Sequence, residues 1–401
     1  MALKIKNNRI VGTIDNLEDK LNGEIQVTRE ELLLLVSSWG RRLDFATKDS
    51  QNKDIYIGSC EVNECYDLSK LDVSEITDMS TVFRNSNFNG NISNWNTSNV
   101  TDMSYMFYNA KSFNKPLNFD TSNVITMEGM FYSAEKFNQV LNFNTSNVTT
   151  MNSIFENAIN FNSKLNFIDT SNVNNMSYMF YNAIEFNQPL NFNTPKVTNM
   201  SWMFYNATNF NHPLKFDTSN VTTMRGMFWD AKSFNNIHSL PISILQMESD
   251  YMNGVGLHNQ ALSWDTSNVT DMYAMFYNAT NFNQAINFDT SNVTSMISMF
   301  AYARSFNQPL NFNISNIRNM EDMFYDAKAF QNKYNSGEPL PNYTNEIKEW
   351  LNDNRDRMNE IDIKDKYGEE VDGFFSNITD IYSTNRIGLH NNIHSLPISI
   401  P

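Results

Sequence analysis

The chain has 401 residues, of which 41% are hydrophobic and 18% charged, and its formal net charge is −15. That excess of acid argues against nucleic acid and anionic membranes as partners, since a surface of like sign repels both. Two cysteines, Cys60 and Cys65 in a C-x4-C spacing, are too few for a disulfide framework or a four-ligand zinc site. They read as inert thiols or a local redox pair.

Residues 1–66 carry no repeat. The stretch from Met1 to Arg9 has no apolar run behind its charges, so no signal peptide is expected, and no apolar run is long enough for a membrane span. By sequence alone the chain stays in the cytoplasm. The pattern predicts one amphipathic helix over Val27 to Leu43. Thr28 and Glu31 form a capping box and Leu32 to Val36 supply the apolar run. Stacked repeats need a covered end, so this helix is expected to lie on the first coil.

From residue 67 to 331 a 24-residue unit recurs, with Phe107, Phe131, Phe155, Phe180, Phe204, Phe228, Phe276, Phe300 and Phe324 at one position. A period of this size signals stacked repeats rather than a globule. Within Met103 to Phe113 the apolar residues fall at offsets 0, 3, 4, 7 and 10, which predicts a short helix. Leu117 and Phe119 alternate with Asn118 and Asp120, which predicts a short strand. Asp120-Thr121-Ser122-Asn123 and its copies suit a turn, because Asx and Ser side chains bond nearby backbone N–H groups. An asparagine follows one buried Phe in each unit, at Asn114, Asn138, Asn162, Asn187, Asn211, Asn283 and Asn307, and these are expected to stack as a ladder. Ile168 adds one residue, to be absorbed as a bulge. Phe228 and Phe276 are 48 residues apart, read as two periods with a degenerate coil in 237–259. The expected architecture is an α/β solenoid of about eleven coils, each a short strand plus a short helix.

The motif Ser98-Asn99-Val100-Thr101-Asp102-Met103-Ser104-Tyr105-Met106-Phe107, with Phe113-Asn114 and Trp95, resembles the BspA-like leucine-rich-repeat class of bacterial surface proteins. The resemblance covers about residues 68–331. It implies a leucine-rich-repeat-like right-handed coil stack, display at the cell surface or secretion, and adhesion or host interaction. It carries over no catalytic residue, and the lack of a signal peptide departs from the surface-displayed pattern.

Residues 332–401 are expected to form a charged C-terminal helix over 342–366 and an irregular tail. Asn391 to Ile400 repeats residues 235–244 residue for residue. This break in the 24-residue register reads as a recombination scar with a truncated end.

Helical geometry would turn Tyr105 and Tyr108 away from the core. The second position recurs as Tyr132, Tyr181, Tyr205, Trp229, Tyr277 and Tyr325, the first as Tyr178, Trp202 and Tyr273. Such a stripe suits a protein or glycan partner, or merely shields the layer beneath it. A second polar face, with Asn118, Asn142, Asn166, Asn191, Lys215, Asn287 and Asn311, offers hydrogen bonds or simple solvation. No hydrolase, Walker or metalloprotease motif is present, so no enzyme, cofactor or metal is expected. The sequence therefore points to a noncatalytic interaction protein. The alternative is a structural or antigenically variable repeat protein without a dedicated ligand.

Overall fold

The structure is a computed structural model that describes residues 4–6, 9–11, 20, 23–37, 42–48, 54–61, 67–235, 262 and 264–335. For the strands before residue 67 this is the backbone alone. These residues belong to one compact unit, Met1–Lys348. The expected helix at 342–366, the duplicated segment at 391–400 and Cys65 lie outside the described residues.

Near the N-terminus, β1 (Lys4–Lys6) and β2 (Arg9–Val11) pair antiparallel, as do β3 (Arg42–Lys48) and β4 (Asp54–Glu61). Between the two pairs stands α1 (Arg29–Ser37). The expected helix to Leu43 is therefore too long. Leu43 and Phe45 alternate with Arg42 and Asp44, a period-2 pattern, and Leu43 lies in β3 opposite Cys60. The helix start is as the sequence indicates. Thr28 N–H donates to Glu31 Oε2 at 2.9 Å and Glu31 N–H to Thr28 Oγ1 at 3.2 Å, a reciprocal capping box.

Helix α1 buries Leu32, Leu35 and Val36 and closes the first repeat. In inner copies, Asp102 and Ser104 carbonyls accept from the Met79 and Thr81 N–H groups of the preceding copy. Asp78 and Ser80, their equivalents in the first copy, have no copy before them. The Arg29 guanidinium takes that place, donating to Asp78 O at 2.9 Å and Ser80 O at 2.8 Å. Val27 N–H likewise donates to Asp72 O at 3.0 Å.

Successive copies are joined by an unbroken series of parallel bridges through Asp78, Asp102, Thr126, Thr150, Asn175, Asn199, Thr223, Asp271, Ser295 and Asn319. From each bridge onward, every second N–H donates to the next copy. Met103, Tyr105, Phe107 and Asn109 donate to Thr126, Glu128, Met130 and Tyr132 at 2.7–3.1 Å. An N–H committed to a neighbouring copy cannot close an i→i−4 bond. The segment expected to be a short helix is instead a ribbon of overlapping turns, with Met106, Tyr108 and Ala110 N–H bonded three residues back. Tyr105 and Asn109 have φ of 55° and 54°, which places positive φ at the third residue of two of these turns. The strand expected at Leu117–Phe119 is not an element either. On that side bridges join only Leu141 to Leu165 and Leu262 to Ile286 among the described residues.

Two columns of stacked phenylalanines fill the core. Phe83, Phe107, Phe131, Phe155, Phe180, Phe204, Phe228, Phe276, Phe300 and Phe324 stack with centroids 5.0–5.7 Å apart. The second column runs from Phe88 through Phe113 to Phe330, and within one copy the two rings lie as close as 3.9 Å, at Phe228 and Phe234. Met103, Met106, Val100 and Ala110, with their equivalents, are buried around them.

The register skips residues 236–261. Met224 N–H donates to Asp271 O at 3.1 Å, Phe228 stacks on Phe276 at 5.6 Å, and Thr223 bridges Asp271. These contacts leave no room for a coil between the two copies. The expected degenerate coil at 237–259, and with it the eleventh coil, is not part of the stack.

The polar rim is ordered by the same register. Ser122 N–H donates to Asp120 Oδ1, Ser219 N–H to Asp217 Oδ1 and Ser291 N–H to Asp289 Oδ1, so the turn is an Asx turn. The following asparagine ties each turn to the copy before it, as in Asn123 Nδ2 to Ser98 O at 2.7 Å. Buried Thr121 hydroxyl donates forward to Asn144 O at 2.9 Å. The asparagine ladder is present. Asn114 Oδ1 accepts from Asn138 N–H, Asn138 Oδ1 from Asn162 N–H, and Asn162 Oδ1 from Asn187 N–H, at 2.9–3.0 Å. Ile168 is an exposed bend, and the ladder resumes at Asn175.

Candidate functional site

The aromatic positions lie on the turn ribbon, not on a helix. Six residues after each bridge, one side chain per copy faces the rim: Arg84, Tyr108, Tyr132, Glu156, Tyr181, Tyr205, Trp229, Tyr277, Ala301 and Tyr325. Tyr108 and Tyr132 stack at 4.7 Å, Tyr181 and Tyr205 at 4.2 Å, and Trp229 and Tyr277 at 4.2 Å. The aromatic members are half-buried, each against its neighbours, rather than turned fully outward. Glu156 is buried in the column and separates a short run at Tyr105, Tyr108 and Tyr132 from a longer one that begins at Tyr178 and Tyr181.

The first expected position divides. Tyr105, Tyr178 and Trp202 occupy the left-handed site three residues after the bridge, with φ of 55°, 58° and 59°. Tyr273 does not. It follows its bridge residue Asp271 by two, so Ala274 holds the left-handed site there. The Tyr105 hydroxyl donates to Glu128 Oε1 at 2.5 Å, and Trp202 lies beside Trp229 with centroids 5.5 Å apart.

Tyr302 belongs to this site and was not legible as a member. It follows Ala301, the gap in the column, and closes it, with its centroid 5.2 Å from Tyr277 and 4.8 Å from Tyr325. The signal was the order Phe300-Ala301-Tyr302 where other copies read Phe-Tyr-Asn. The longer run is thereby continuous from Tyr181 to Tyr325.

Charge enters the site at three places. The Arg84 guanidinium lies 4.8 Å above the Tyr108 ring. That of Arg225 lies 4.0 Å above Tyr273, with Nη1 3.2 Å from Asp271 Oδ2. Asp230 stands beside Trp229, and burial holds its carboxyl above the usual carboxylate range despite hydrogen bonds from Asn278 and Trp229. Burial and the nearby Asp230 charge push the Tyr205 and Tyr277 hydroxyls up in turn.

The polar face is exposed at Asn118, Asn142, Asn166, Asn191, Lys215, Asn287 and Asn311, and Asn166 Nδ2 donates to Asn142 Oδ1 at 2.7 Å. Among the described residues no group of three His, Cys, Asp or Glu could hold a metal ion, and no helix is long and apolar enough to cross a membrane.

The repeats also decide kinship. Residues 55–143, 139–240 and 245–361 each match the family model described as Mycoplasma protein of unknown function, DUF285. The chain belongs to the DUF285 family. Two of the DUF285 matches meet between residues 240 and 245, inside the segment that the stack passes over. No curated protein and no solved structure gives a match.

Proposed function

We propose that this DUF285 chain is a noncatalytic interaction protein whose longer aromatic run, Tyr181 to Tyr325, meets a protein partner. The observation that carries the reading is the composition and continuity of that run. Tyr and Trp, with Arg225 at its edge, are the residue types on which binding energy concentrates. Ring faces 4.2 Å apart occupy one another, leaving edges and hydroxyls outward, which favours a protein over face-stacking sugars. Contacts repeated from copy to copy would add by avidity. The parallel bridges support reading the array as a solenoid, though one with a turn ribbon where a leucine-rich-repeat-like coil would place a helix. Adhesion or host interaction at a cell surface is the setting that the BspA-like resemblance suggests.

The ring-on-ring stacking also favours a second reading, a structural repeat protein with no dedicated ligand. Arrays of cell-surface proteins and of glycans, probed with the full chain and with a Trp202→Ser/Trp229→Ser variant, separate the two. Protein signals that fall at least about tenfold in the variant, with its melting cooperative, are the expected result. Absent or unchanged signals overturn the interaction reading.

A further inference from the structure

We propose that the surface around Trp229 and Asp230 docks a lysine- or arginine-bearing segment of a partner protein; this rests on the interaction reading above and names the chemistry of its partner. A break in a hydrogen-bond column points there first. Along the second left-handed position, Asn109 Nδ2 donates to Asn85 Oδ1 at 2.8 Å, Asn182 to Asn157 at 2.9 Å and Asn206 to Asn182 at 2.7 Å. Residue 230 is Asp. It accepts from Asn278 Nδ2 at 2.5 Å as an asparagine would, but it has no amide to offer Asn206. Two acceptor groups therefore follow one another, Asn206 Oδ1 and the Asp230 carboxylate. A cationic N–H group is the chemistry that bridges two acceptors.

The surroundings agree with a cation. Asp230 lies among Trp229, Tyr205 and Tyr277, whose rings carry negative faces. Among the described residues its cationic neighbour is Lys232, which makes no salt bridge to it. Burial therefore leaves the ionised carboxylate short of positive charge. Elsewhere on the same ribbon the chain already seats guanidinium groups on rings, Arg84 on Tyr108 and Arg225 on Tyr273. The net charge of −15 draws the same class of partner from a distance.

The test uses the full chain and labelled oligo-arginine, oligo-lysine and oligo-glutamate peptides. Asp230→Asn supplies the missing amide and so keeps the fold, and Asp217→Asn removes an equal charge from an exposed turn far from the rings. The expected result is that Asp230→Asn and Trp229→Ala each weaken oligo-arginine binding about tenfold, the factor that corresponds to about 1.4 kcal/mol. Asp217→Asn should change it by less than about twofold. Equal losses in the two Asp variants would show general attraction to an acidic chain and overturn the inference. A loss in Trp229→Ala alone, or no binding of either cationic peptide to the wild type, overturns it as well. The interaction reading survives each of these outcomes, because the protein array decides it separately.

Discussion

Single residues at positive φ show where the ribbon is tightest. Tyr105, Tyr178, Trp202 and Tyr302 hold φ between 55° and 59°, a conformation that costs a side-chain-bearing residue about 1–2 kcal/mol. Glycine takes the same site where the preceding copy carries a large ring. A Cβ on Gly129 would lie 2.4 Å from Tyr105 Cε1, and one on Gly226 2.3 Å from Trp202 Cε3. Gly226→Ala should therefore lower stability in urea by about 1–3 kcal/mol. In a Trp202→Ala background the ring is gone and the loss should shrink to the backbone part alone. Equal losses in both backgrounds would show that the ring does not rest on this glycine. Asp230 gives a pH dependence with a definite sign. Its folded pKa is raised above the ordinary 3.8, so the native chain binds more proton than the unfolded one between those two values. Stability should fall as pH rises through that window, with Lys232, Tyr205 and Tyr277 as the facing groups. Asp230→Asn should remove this slope and melt higher at neutral pH. A steeper slope in the variant would contradict the assignment.

Elements were legible where side-chain chemistry alone decides them. The capping box at Thr28 and Glu31, the Asx turns and the Asn114 ladder follow from what these side chains can donate and accept. The helix at Met103–Phe113 was not, because buried residues at offsets of three and four fit a helix and a four-residue turn ribbon equally well. The discriminating sign was the residue type at the left-handed sites. Asn85, Asn109, Gly129, Ser133 and Asn157 are turn formers repeating where a helix prefers none. Reading the unit as a helix also displaced Tyr273 by one residue and hid Tyr302. The end closure was hidden for another reason. Arg29 acts on backbone carbonyls 49 and 51 residues away, which no local pattern records. Its removal gives a direct measure of the closure. Arg29→Met keeps the aliphatic stem but leaves the Asp78 and Ser80 carbonyls to water, and should cost about 1.5–3 kcal/mol in urea denaturation. The loss should come with faster amide exchange confined to the first copy. A uniform rise in exchange along the array would contradict a local closing role.

At the scale of the whole array, the decisive feature is register. Each copy offers the next one the same row of N–H groups, carbonyls and rings, so the stack extends by repetition and tolerates a segment that leaves and returns. The sequence could not separate such a segment from a worn coil. The distance from Phe228 to Phe276 is 48 residues, two whole periods, and spacing is blind to whether the second period is stacked or bypassed. The contacts between the flanking copies decide it, with Thr270 N–H donating to Thr222 O at 2.9 Å. A disulfide between cysteines placed at 222 and 270 tests this most directly, in a chain whose Cys60 and Cys65 are replaced by serine. Copies in direct contact hold these positions about 4.8 Å apart, within the range a disulfide spans, whereas an intervening coil would set them about 9.6 Å apart, beyond it. The expected result is a Thr222→Cys/Thr270→Cys crosslink in the native protein, formed under mild oxidation and seen by non-reducing peptide mapping. Free thiols at both positions in a folded chain would place a coil between the two copies and contradict the register described for the array.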